Sequence, residues 1–133
     1  MLDVGCGTGS LALALAARPE PTAIVGIDIA APYATYASTR SVDRRLTFLT
    51  GDAVALDLPT GSFDRSLSLL ALNFMSDPAR ALGGMRRVTR AGSLPPQYGI
   101  FQADWFISES SGIRPRRLIR RPTWREDGTF RAH

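Results

Sequence analysis

The segment Leu2-Asp3-Val4-Gly5-Cys6-Gly7-Thr8-Gly9 constrains this chain more than any other stretch. Met1–Val4 reads as the end of a buried strand, Gly5–Gly9 as a tight turn, and Ser10–Arg18 as an Ala/Leu helix stopped near Pro19 and Pro21. Glycine permits positive φ and lets a ligand lie against bare backbone. The helix that follows points free N–H groups and its positive dipole end at such a ligand. A strand, a glycine turn and a helix in that order predict an α/β fold with a binding site at the strand's carboxyl end. The glycines fall at 5, 7 and 9, as G-x-G-x-G. Dinucleotide sites space theirs as G-x-G-x-x-G, so a nicotinamide dehydrogenase is the weaker reading.

Strand and helix signals continue to alternate along the first two thirds of the chain. Ala23–Asp28 is a second buried strand, and Pro32 opens a helix running to about Arg40. Leu46–Leu49 is a short third strand, and Phe63–Leu70 a fourth. Asp77-Pro78 is an N-cap followed by proline at the first helical position. The helix it opens carries Ala81, Leu82, Met85 and Val88 at helical spacing, and Ala91-Gly92 ends it. The Leu67–Leu72 run reads as core.

Three acidic positions sit in order around the turn. Asp3 precedes it, Asp28 ends the second strand about 20 residues on, where an acid can accept both ribose hydroxyls, and Gly51-Asp52-Ala53 follows the third strand. Ser62-Phe63-Asp64-Arg65 then opens the fourth strand, and Leu72-Asn73-Phe74 leads into the helix after Asp77-Pro78. With these residues the chain from 1 to about 93 resembles the class I S-adenosylmethionine-dependent methyltransferases. It is most similar to the broad small-molecule group that includes ubiquinone/menaquinone-type enzymes. The resemblance implies a Rossmann-like sheet, here incomplete with about four or five strands, and S-adenosylmethionine as cofactor. It implies cofactor contacts from Asp3, Gly5, Cys6, Gly7, Gly9, Asp28, Ile29, Asp52 and Ala53. The turn would face the methionine part, Asp28 the ribose, and Asp52 the adenine amino group. It implies methyl transfer to an unidentified small-molecule acceptor, with an acceptor pocket drawn from segments before the first strand and after the fourth. No general base can be named from the sequence. On this resemblance the chain starts inside the family's domain, and a piece so shortened is expected to be inactive or impaired.

Plainer roles stand beside these. Asp3 could bond the turn's own backbone, Asp28 could cap a strand end, and Gly51-Asp52 is ordinary turn chemistry. Cys6 is the only cysteine, so no intrachain disulfide is possible, and no histidine lies near it to make a nucleophile. There is no Cys/His cluster for a metal, and His133 is terminal. No run of about 18 apolar residues predicts a membrane span, and no signal peptide is visible, so a cytoplasmic protein is expected.

After Gly92 the character of the sequence changes. Residues 1–93 contain 15 alanines and residues 94–133 contain two. All 16 basic residues are arginine, with nine against eight acids up to residue 93 and seven against four beyond it. The expected division is therefore a methyltransferase core at 1–93 and an irregular Arg/Pro-rich tail at 94–133, with one strand available at Tyr98–Ile107. The alternative function rests on that tail: a non-catalytic remnant or binding module whose arginines contact nucleic acid or a protein partner. A solvated segment is the plainer expectation for the Arg run at 114–121. The tail also reads as a wrong-frame translation. Taking the last base of each codon with the first two of the next, Gln97–Phe101 permits Val-Trp-Asp-Phe. In the same frame Glu109–Ile113 permits Ile-Phe-Trp-Asp, and Arg117–Arg121 permits Leu-Asp-Pro-Ala. These resemble, in order, what the methyltransferase group has after the Gly92 position.

Overall fold

The computed structural model describes residues 1–93, together with backbone strands at 97–99, 123–124 and 130–131. Strand β1 spans Leu2–Val4 and β2 spans Ile24–Asp28; between them lies helix α1, Ser10–Ala16. Helix α2, Ala31–Thr39, leads to β3, Leu46–Thr50. Strand β4 is Ser66–Leu69, and helix α3, Pro78–Val88, leads to β5, Gln97–Gly99. The five strands form one parallel sheet in the order β3-β2-β1-β4-β5. This is the Rossmann-like α/β order expected, and its strand order reverses between β1 and β4. In such sheets ligands bind outside the carboxyl ends of the strands at that reversal. Strands β6, Thr123–Trp124, and β7, Phe130–Arg131, pair antiparallel.

Two-residue alternation sorts the side chains onto two faces. Leu2, Val4 and Ile27 join Ala53, Leu56, Leu72, Ala81, Met85 and Val88 in the main core, under α3. Fully burying one of the larger of these, a Val, Leu, Ile or Met side chain, contributes about 1.5–3 kcal/mol. Helix α3 is held there by its sequence: Asp77 Oδ1 accepts from the Arg80 N–H at 2.9 Å as N-cap, and Pro78 occupies the first turn. Ser66 enters this face as a polar residue but is satisfied, its hydroxyl lying 2.6 Å from Thr89 Oγ1 and 3.3 Å from the Met85 carbonyl. On the opposite face α1 and α2 cover β2 and β3 with alanines, Ala12, Ala34 and Ala37 all being buried.

Several expectations need correction. The fourth strand begins at Ser66 rather than Phe63, because Phe63 forms a separate bridge with Thr89 while Asp64 pairs with Arg90. That bridge also ends α3 at Val88, ahead of the turn at Ala91-Gly92. The Leu67–Leu72 run is core only in part. Leu72 is 2% exposed, but Leu69 and Leu70 are 46% and 45% exposed, on a stretch that α1 and α2 do not mainly cover. Strand β4 is not an edge of the sheet, since Leu67–Leu69 pairs with Gln97–Gly99. Of the tail strand expected at Tyr98–Ile107, only its first two residues fall in β5; residues 100–107 and the Arg run at 114–121 lie outside the described residues.

Candidate functional site

At the carboxyl ends of β1, β2 and β3 the glycine turn and two of the three acids come together. The Gly5 and Cys6 N–H groups both donate to the Ile27 carbonyl, at 2.8 and 3.0 Å, which ties the turn to the end of β2. The Gly9 N–H donates to the Cys6 carbonyl at 2.8 Å and closes it. Gly5, Gly7 and Gly9 all have left-handed backbone, with φ of 72, 51 and 84°. Side chains are strained there, and at Gly5 space forbids one as well: a Cβ would lie 2.3 Å from the Ala71 Cβ. Beside Gly7, by contrast, a Cβ would meet nothing within 4 Å, so the turn opens onto free space at its centre.

Asp28 joins strand end to turn. Its Oδ2 accepts from the Gly7 N–H at 2.8 Å and its Oδ1 from the Ala30 N–H at 2.9 Å. Each carboxylate oxygen can accept a second hydrogen bond, so capacity for two hydroxyls remains. Ile29, next in sequence, is 71% exposed beside it. The Gly51 N–H donates to the Asp28 carbonyl at 2.9 Å, which brings Gly51-Asp52-Ala53 to the same edge. Asp52 Oδ1 accepts from the Val54 N–H at 2.8 Å and caps the short 3-10 turn Ala53–Ala55, while Ala53 is buried. The turn-chemistry role weighed for Asp52 is therefore present, and one of its oxygens carries it.

Asp3 lies beneath the turn rather than in it. It is 1% exposed, and neither carboxyl oxygen has a well-formed hydrogen-bond partner. Burial pushes its pKa up to about 7; the nearby Ala12 N–H offsets part of the rise, and the Asp28 charge adds to it. An unpaired buried carboxyl is costly, and a cationic centre of a ligand would relieve it. Cys6 is buried, its thiol pushed up to about 12 by burial first and then by Asp3 and Asp28. At that value it stays a thiol near neutral pH. Helix α1 has seven residues, ending two short of Arg18, so the backbone of the turn offers more to a ligand than its dipole does.

Further residues shape the site without a motif to mark them. Ala71 and Met75, between β4 and α3, press on Gly5. Leu70 has φ 59° at the end of β4, a strained backbone for a bulky residue, and Phe74 beyond it is 89% exposed. The Arg40 guanidinium donates to the Thr8 carbonyl at 3.0 Å from the far side of the turn. None of these carries a sequence signal beyond ordinary apolar or basic character. Among the described residues no cluster of three His, Cys, Asp or Glu side chains could hold a metal ion, and no helix is long and apolar enough to cross a membrane.

A family model described as a methyltransferase domain matches residues 2–94. The demethylmenaquinone methyltransferase of Thermus thermophilus is 36% identical over 110 residues, covering 76% of this chain and 50% of that protein. Among solved structures, an S-adenosylmethionine-dependent methyltransferase from Mesorhizobium loti superposes with a TM-score of 0.67 at 25% identity, over 74% of this chain and 45% of that one. The [4+2]-cyclase SpnF superposes with a TM-score of 0.65 at 34% identity, over 73% and 36%. The chain thus spans half or less of the length of each.

Proposed function

This chain belongs to the methyltransferase domain family, and on that footing we propose that it binds S-adenosylmethionine and serves methyl transfer to a small-molecule acceptor. The observation that carries the reading is the hydrogen bond from the Gly7 N–H to Asp28, which places a ribose-competent carboxylate against an open glycine turn. The residues present fit the cofactor on two further counts. The turn is a cradle in which a Cβ at Gly5 would clash, and Asp3 is an orphaned buried carboxyl group whose ionised form a ligand carrying ammonium and sulfonium charge would favour. Gly5, Cys6, Gly7 and Gly9 would hold the methionine part, with Asp3 below it. Asp28 and Ile29 would hold the ribose, and Asp52 and Ala53 the adenine.

When bound, S-adenosylmethionine supplies a methyl group already activated by its sulfonium. The chain's own contribution is position: a turn fixed to β2 by three hydrogen bonds and braced by Ala71 and Met75. Leu69, Leu70 and Phe74 expose apolar surface at the end of β4, next to that brace, which suits an apolar acceptor. The quinone-type acceptor in the name of the Thermus relative is of this chemical kind.

Titration calorimetry with S-adenosylhomocysteine tests the reading. One-to-one binding is expected, and Asp28→Ala should weaken it by about 1.5–3 kcal/mol, through lost ribose contacts and a loosened Gly7. Equal affinity in Asp28→Ala would remove Asp28 from the site, and no binding by the parent chain would overturn the proposal.

A further inference from the structure

Resting on the cofactor reading above, we propose that Phe48 is a positioning residue: its ring, seated over Gly26, fixes Gly9 and hence the methionine end of the site. The placement follows from register. Leu67, Asp3, Gly26 and Phe48 form one row across β4, β1, β2 and β3, on the face covered by α1 and α2. Gly26 leaves a gap in that row, and the ring of Phe48 leans into it. A Cβ on Gly26 would stand 2.6 Å from Phe48 Cδ1, 2.8 Å from Cε1 and 3.1 Å from the Cys6 Cβ. The far edge of the same ring reaches the turn, where a Cβ on Gly9 would meet Phe48 Cζ at 3.0 Å and the Ala37 Cβ at 3.1 Å. Gly9 is therefore wedged between β3's aromatic ring and α2, at the residue that caps α1 with φ 84° and no side-chain hydrogen bond. With no polar cap, apolar contact from Phe48 and Ala37 is what flanks the exit of the turn.

The consequence is selective. Asp28 and Asp52 are held by the Ala30 and Val54 N–H groups, away from Phe48, whereas the exit of the turn, closed by the Gly9–Cys6 hydrogen bond, is flanked directly by the Phe48 ring. Removing the ring should loosen the end that grips the amino-acid part of the ligand and leave the nucleoside end intact. Two probes separate those ends: S-adenosylhomocysteine, and 5′-methylthioadenosine, which lacks the amino-acid part. In Phe48→Ala, S-adenosylhomocysteine affinity is expected to fall about tenfold or more, with 5′-methylthioadenosine changed less than about twofold. Phe48→Tyr, which keeps the ring, should restore the parent ratio. If Phe48→Ala does not fold, Phe48→Leu is read the same way; it fills volume without a flat ring, and the same selective loss is expected at smaller size. Equal losses for both probes, or no loss for either, would mean that Phe48 only packs, and would overturn the inference while leaving the cofactor reading in place. Failure of the parent chain to bind S-adenosylhomocysteine would overturn both.

Discussion

Asp3 shows how one residue can be costly to the fold and useful to the site. It is buried and unpaired, and its pKa is raised to about 7. The folded chain therefore keeps a proton there that the unfolded chain releases in the ordinary carboxylate range. Between about pH 4 and 7 the native state binds more protons, so stability falls as pH rises through that window. The effect is at most about 4 kcal/mol. Asp3→Asn puts a dipole in place of a charge, which is cheaper to bury. Its melting temperature should exceed the parent's at pH 8 and match it near pH 4, while its affinity for S-adenosylhomocysteine falls. Parallel melting curves against pH for the two proteins would show that Asp3 is not the titrating group. Chemistry of this kind is only half legible in sequence. Asp3, Asp28 and Asp52 stand out by their offsets from the glycines, but nothing in the order of residues says which carboxyl is paired.

At the scale of elements, the alternation of strands and helices was readable because glycine, proline and buried apolar runs mark where each begins and ends. What escaped were contacts between distant segments. Phe63 looks like the start of a strand until Thr89 pairs with it, and Leu69 looks like core until the sheet shows which face it occupies. Phe48 is one more apolar residue in a strand until Gly26 is found beneath it. Arg45 belongs to the same class. From the start of β3 its guanidinium donates to the carbonyls of Ala16, Arg18 and Pro21 and pairs with Asp43, closing the far end of α1. Asp43 in turn holds the Arg45 side chain in place and is lowered below the usual carboxylate range by it. Arg45→Ala would leave those carbonyls without their donor and should lower the melting temperature by several degrees. Arg45→Lys should recover little, since an ammonium cannot span the same fork of acceptors. Because the clamp lies at the opposite end of α1 from Gly9, S-adenosylhomocysteine affinity should hold in both variants. A fall in affinity matching the fall in stability would mean that α1 transmits the damage.

For the molecule as a whole, β5 is instructive. Backbone N–H and C=O groups pair irrespective of side chains, so Gln97-Tyr98-Gly99 can complete an edge without the apolar residues expected of a central strand. We propose that the reading frame shifts near this point, on the loss of alanine and the ordered out-of-frame matches. The nucleotide sequence around codons 90–97 decides it. Correcting one shifted frame should open a long alanine-rich reading frame bearing Val-Trp-Asp, Phe-Trp-Asp and Leu-Asp-Pro in turn; its absence would leave the tail as a genuine segment. The buried acid beneath the glycine turn reaches the whole molecule in another way. Near neutrality Asp3 is only partly ionised in the free protein, and a cationic ligand favours its anion, so complex formation expels a proton into solution. The measured heat of binding should then depend on which buffer takes up that proton: titrations at one pH in phosphate and in Tris would differ, and Asp3→Asn would abolish the difference.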